Sequence, residues 1–337
     1  MPVVWVRLAL AVLLAGAAVA QSPGFVAIDP WDQIKTMVRG VNIVGYDPLW
    51  RDFEKARFQE RHFKRIHDGG FQAVRVNLQA FAHMDAQRRL GPVWFKTLDW
   101  VVSNALANDL VVILDEHDYN ICGKDAARCE PRLMAFWEQM AEHFKDAPNR
   151  VLFEILNEPN TQVTADVWNA WIKEALAIIR KNTPARNVVI GPASWNGIHD
   201  LDKLELPESD RHIVATVHYY LPMSFTHQGA SWNKQTAKLS GITWGTEADK
   251  QKIDEDFAEI QRWSEEKKRP ILLGEFGVYD RGGAEMDSRV CYLSKIARTA
   301  ESLGWAWAYW QFDSDFVLFD IAKDDWVQPV RKALIPD

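Results

Sequence analysis

Two glutamates stand where apolar runs of this chain stop. In "VLFEILNE" Glu158 follows Asn157 and precedes Pro159, and in "PILLGEFG" Glu275 sits between Gly274 and Phe276. A pair of carboxyl groups can divide labour if their surroundings push the pKa values apart, one kept protonated and the other ionised. Similar apolar runs carry Arg75-Val76-Asn77, Asp115-Glu116-His117, His218-Tyr219-Tyr220 and Trp310 near their ends. Each residue alone has an ordinary structural reading. Their gathering at the same end of successive runs is what points to chemistry.

That chemistry is cleavage of a bond to an acetal carbon. One carboxylic acid protonates the leaving oxygen while a carboxylate attacks the anomeric carbon. Arg75 is expected to hold Glu275 ionised by charge pairing. Asn157 is expected to hydrogen-bond a sugar hydroxyl, and Tyr220 to donate to the nucleophile. His117 and His218 would orient the acid and the sugar hydroxyls. Glu154, inside its run, is assigned a structural role.

The elements that must position these residues read as eight strands. They are 40–45, 73–78, 111–117, 151–158, 188–192, 213–220, 270–277 and 305–312. Most are rich in Val, Ile and Leu rather than alternating, as strands buried on both faces should be. Amphipathic stretches at 53–68, 93–107, 131–145, 165–181, 250–267 and 285–302 fit helices, with Pro131 read as a helix start. The fifth crossover, 193–211, has room for one short helix. Eight βα units with no low-complexity linker between them predict an α/β fold, a single (β/α)8 TIM barrel. A doubly wound open sheet is the rival, but the first strand is not followed by G-x-G-x-x-G. In a barrel the strand ends form the active face.

The segments "ILNEPN", "LLGEFG", "AVRVNL", "ILDEHDY", "TVHYY" and "AYWQFD" resemble the hallmark segments of the family 5 glycoside hydrolases, in the right order over about residues 40–319. The resemblance implies a retaining (β/α)8 enzyme with Glu158 as acid/base and Glu275 as nucleophile. It carries Arg75, His117, Asn157, His218, Tyr220 and Trp310 over as active-site residues. It also implies an endo-β-1,4-glucanase acting on a β-glucan, with β-mannan and β-1,3-glucan activity as alternatives. A non-catalytic polysaccharide-binding barrel is the alternative from another class. Aromatic residues after the strands (Tyr46 and Trp50, Trp195, then Phe225, His227 and Trp232) are candidate sugar platforms or loop anchors.

Composition sets the outer limits. The chain has 337 residues, 47% hydrophobic and 25% charged, with 16 Trp, 16 Phe and a formal charge of −7. Without a basic run, nucleic acid and anionic membranes are poor partners. Arg7 followed by the apolar stretch 8–20, closing on Ala18-Val19-Ala20, reads as a signal peptide over 1–20 and a catalytic domain over 21–337. A secreted or periplasmic monomer without a membrane span is expected, although an uncleaved anchor is the other reading. In an exported protein Cys122 and Cys129 can close a small loop, leaving Cys291 free. No CxxC or HExxH occurs, so neither metal nor organic cofactor is expected.

Overall fold

The computed structural model describes residues 24–336, so the expected signal peptide lies outside the described residues. Eight parallel strands close into a barrel in chain order. These are β1 (Arg39–Ile43), β2 (Ala73–Leu78), β3 (Val111–Glu116), β4 (Val151–Glu154), β5 (Val188–Ile190), β6 (Ile213–His218), β7 (Ile271–Glu275) and β8 (Ala306–Tyr309). The ring closes where β8 pairs with β1, Trp307 against Arg39 and Tyr309 against Val41. Helices follow the strands and cover the outside. Trp137 and Trp168 donate their indole N–H groups to Ile155 O and Gly191 O, fixing two helices to the barrel wall.

Side chains alternate across a strand, so each strand sends one row inward. At the amino end of the barrel these rows are apolar: Ala73, Val111, Ile113, Leu152, Val189, Val214, Leu272 and Ala306. Ile34 and Met37, on and just after the helix Pro30–Lys35, pack into the same cluster and close that end. Two residues further along the same rows stand Arg75, Asp115 and Glu154, all buried. The barrel interior thus runs from apolar at one end to charged at the other.

Several sequence expectations need correction. β4 stops at Glu154, so Glu158 lies in a loop rather than at the strand's end. Arg75 is third in β2, inside the barrel rather than at its lip. The stretch 53–68 splits into a 3-10 turn, Phe53–Lys55, and a helix, Glu60–Asp68. The break falls where Asp47 Oδ2 accepts the N–H groups of Arg57 and Phe58, which a continuous helix would have used. Pro131 does not start its helix. That helix runs Ala126–His143 and is capped by Asp125, whose carboxylate accepts from Arg128 N–H. Beyond β8 an unforeseen hairpin forms, β9 (Phe319–Asp320) with β10 (Asp325–Trp326), followed by the helix Gln328–Leu334.

Candidate active site

Glu158 owes its position to a strand that ends in stages. Past Glu154 the chain keeps pairing, with Ile155 N–H on Val189 O and Asn157 N–H on Glu116 O at 2.8 Å. Glu158 then adopts a left-handed backbone (φ 42°), uncommon for a side-chain-bearing residue. Asn160 holds the turn by donating to Glu158 O at 2.8 Å. The Glu158 carboxyl is thereby brought to His218 at the end of β6, with His218 Nδ1 2.8 Å from Oε1.

Glu275 ends β7. Arg75 Nη1 donates to its Oε1 at 2.8 Å and Tyr220 OH to its Oε2 at 2.9 Å. An oxygen of Glu158, an oxygen of Glu275 and a ring nitrogen of His218 all lie within 4.8 Å of one another. This trio is also the one group among the described residues whose donor atoms converge closely enough for a cation. A cation there would engage both carboxylates.

Arg75 is the hub. Its Nε and Nη2 grip both oxygens of Glu154 at 2.7 and 2.9 Å, and Nη2 also reaches Asn157 Oδ1 at 2.8 Å. Nη1 donates to Asn42 Oδ1 at 2.9 Å, and Asp115 lies 3.1 Å from Nη2. With its oxygen held by Arg75, the Asn157 amide is oriented and its NH2 is left to donate elsewhere. His117 contacts Asp115 through Nδ1 at 2.5 Å, and its ring lies parallel to that of Trp310 (interplanar 7°). The Trp310–Gln311 peptide is cis.

The two glutamates differ electrostatically. Burial, then the Glu275 charge, pushes the Glu158 carboxyl well above the usual carboxylate range. Burial raises Glu275 as well, but Arg75 and the Tyr220 hydroxyl pull against it. Burial likewise lifts Asp115 and Glu154 to about 7, opposed by Arg75. The histidines are driven neutral: burial takes His117 down to about 4 and His218 well below its ordinary value. Asn196 Nδ2 stands 3.3 Å from His218 Nε2. With the Asn196 amide donating to Nε2, the His218 proton sits on Nδ1 and points at Glu158 Oε1, which leaves Glu158 its other oxygen to carry a proton.

The structure thus brings Arg75, His117, Asn157, Glu158, His218, Tyr220, Glu275 and Trp310 to one end of the barrel. Trp195 and Trp232 are exposed, 52% and 55%, as is Tyr46, whose ring stands edge-on to Trp310 at 6.2 Å. Trp50 differs: it stacks on Trp94 at 5.8 Å and packs against the core, so it anchors its loop. Phe225 is fully buried and His227 nearly so. Cys122 and Cys129 are joined by a disulfide, with Cα atoms 4.9 Å apart, and Cys291 is free. Residue-by-residue reading missed Asn42 and Asn196, named Asp115 without giving it a role, and passed over Tyr119, which meets His117 edge-on at 5.4 Å. The period of two could have exposed Asp115, two residues beyond inward-facing Ile113.

A closed parallel barrel with two unlike glutamates, an arginine hub and aromatic rims at its carboxyl end defines a class of carbohydrate-cleaving barrel. The chain belongs to the cellulase family, glycosyl hydrolase family 5, whose model matches residues 33–315. It is 28% identical over 307 residues to endoglucanase H of Acetivibrio thermocellus, covering 87% of this chain and 32% of that one. The chain spans about a third to a half of the length of the first curated relatives it matches. Among solved structures, endoglucanase Cel5A of Thermotoga maritima superposes with a TM-score of 0.87 at 35% identity, covering 91% of this chain and all of that one. The same enzyme has been solved with mannotriose. The cellulose synthase subunit Z of Clostridioides difficile superposes at 0.84 with 31% identity, covering 89% of this chain and 99% of that one.

Proposed function

We propose that this glycoside hydrolase is a secreted endo-β-1,4-glucanase that cleaves internal glucosidic bonds with retention. The observation that carries this is the pair Glu158 and Glu275, with one oxygen of each within 4.8 Å of the other and with unequal electrostatic support. Retaining enzymes hold such groups roughly 5–5.5 Å apart, and inverting ones about 6.5–9.5 Å apart, to admit water. Glu275 Oε attacks the anomeric carbon as the bond to the leaving oxygen breaks, and the Glu158 proton passes to that oxygen. In the second step Glu158, now a carboxylate, takes a proton from water. The water oxygen bonds to the anomeric carbon and Glu275 departs. Asn157 holds the sugar 2-OH, Trp310 lies under the ring, and Trp195 and Trp232 supply flanking platforms.

The endo-glucanase assignment draws on the endoglucanase names of the relatives above. Secretion draws on residues 1–20, and a buried disulfide suits an oxidising compartment. Among the described residues no helix is long and apolar enough to cross a membrane. β-Mannan is a second reading, favoured by the mannotriose complex of the Thermotoga enzyme. Reducing-sugar release from a panel of glucans and mannans decides between them, and proton NMR of the first-formed sugar reads the stereochemistry. An α-anomer from a β-glucan refutes retention. No release from any member of the panel refutes hydrolysis.

A further inference from the structure

Beside the loop after β8 lies a cavity of about 480 Å³ whose lining includes none of the residues given a role in the reaction. Its polar walls come from Arg57, Asp280, Arg281, Arg289, Asp313 and Asp320, gathered from four separate parts of the chain. Arg289, on the helix Met286–Ser302, is only 6% exposed, yet its Nε and Nη2 have no hydrogen-bond partner among the described residues. Asp280 Oδ1 and Asp313 Oδ2 also lack a hydrogen bond among the described residues, although each has a guanidinium charge near it. The nearest cations to them, Arg281 Nε at 3.9 Å and Arg57 Nη1 at 3.0 Å, are charge contacts without hydrogen-bond geometry. A buried polar atom left unmade costs roughly 1–3 kcal/mol. Four around one cavity call for a polar occupant.

The wall chooses the occupant's chemistry. Three guanidinium groups and three carboxylates balance, so a small anion would meet the aspartates and a small cation the arginines. A neutral compound whose groups both donate and accept satisfies both sets. Vicinal hydroxyls do this: they accept from the guanidinium fork and donate to carboxylate oxygens, as charge-assisted hydrogen bonds. Val317 and Ile321 add apolar wall for a ring's C–H face. Water takes only roughly 30 Å³ per molecule, and the cavity is large enough for a sugar ring.

We propose that this cavity is a second saccharide site, taking one neutral pyranose apart from the reaction centre. The argument stands on the cavity's own donors and acceptors, independently of the roles given to Glu158 and Glu275. One wall does communicate with the cleft: Asp280 N–H bonds Asp315 O at 3.1 Å, and Gln311, next to Trp310, bonds the Asp315 carboxylate at 3.0 Å.

The test follows the Arg289 Nε–H signal by nitrogen–proton NMR of the whole protein, assigned by its disappearance in Arg289→Lys. Titration with glucose should move this signal along a saturating curve. Ala322→Trp, at an exposed position on the cavity rim, should weaken that response by about tenfold or more, with hydrolysis of soluble glucan unchanged. Three results overturn the proposal: a signal that does not move with glucose, a shift that survives undiminished in Ala322→Trp, or a response to sodium phosphate in place of glucose.

Discussion

Glu158 touches a neutral histidine and Glu275 touches an arginine and a phenol, and the two should fail differently when removed. With Glu158 as the proposed proton donor, Glu158→Ala should keep a substantial first step on a dinitrophenyl glycoside, which needs no proton, while losing about 10²–10⁴-fold on glucan. Azide, which needs no base, should restore its turnover as the β-glycosyl azide. Glu275→Ala should turn over neither substrate, and azide should give the α-product. Equal losses on both substrates, with no rescue of the stated anomer, would refute the roles. The pH profile gives a second prediction. On the proposed roles, activity needs Glu275 ionised, so it should be lost as pH falls through the Glu275 pKa. It also needs Glu158 protonated, so it should be lost as pH rises through the Glu158 pKa. Tyr220→Phe removes a donor that favours the Glu275 carboxylate, so the acidic limb of kcat/KM should move to higher pH and the alkaline limb should stay. The rate should fall about 10–100-fold, the worth of a hydrogen bond to a charged group. An unmoved acidic limb would mean that this hydrogen bond does not hold Glu275.

At the scale of elements, the β6–β7 pair carries a register shift between Val217 and His218, which sets His218 opposite Glu275. Gly274 makes room for it: a Cβ there would stand 2.6 Å from Thr216 Oγ1 and 3.0 Å from His218 Nε2. Gly274→Ala should displace His218 and cost about 1–3 kcal/mol from overpacking. An accompanying fall in kcat/KM of up to about 100-fold is the price of misplaced geometry. Unfolding curves and kinetics measure the two effects separately, and a variant of unchanged activity would show that His218 is not held by this contact. The disulfide ties the short helix Tyr119–Lys124 to Ala126–His143, and Gly123 on the first packs against Asn160, which holds the Glu158 turn. Replacing both cysteines by serine should cost about 2–3 kcal/mol in the chain-entropy account, read by denaturant unfolding. The elements were legible to different degrees. β2 matches its expected limits because "AVRVNL" is bounded by a Gly-Gly turn and a change of pattern. Glu158 was misplaced because hydrogen bonding to β3 continues beyond the regular strand. Arg75 and Glu154 were visible as residues, but their partnership needed the inward row to be followed down the barrel and not only at its lip. Asn196 left no trace, since its place depends on three successive left-handed residues, Ser194, Trp195 and Asn196, without a glycine to announce them.

For the whole molecule, the tryptophan surplus resolves into two populations: Trp137, Trp168 and Trp307 are fully buried, while Trp195 and Trp232 stand at the surface. The barrel that separates them has no free edge only because β8 reaches β1. A chain cut after Gly304 would keep seven strands and leave one edge of β1 and one edge of β7 unpaired, and open edges recruit other chains. Such a truncation should be recovered more largely in the insoluble fraction on expression than the full chain expressed alongside it; a soluble, monomeric product would refute the dependence on closure. The closure also has a meaning in time. Residues 39–41 must wait for residues 307–309, and at about 5–20 residues per second synthesis takes roughly 15–50 s to supply them. Throughout that interval the nascent polypeptide cannot complete its ring. It remains open to chaperones, and the order of its strands acts as a delay on folding.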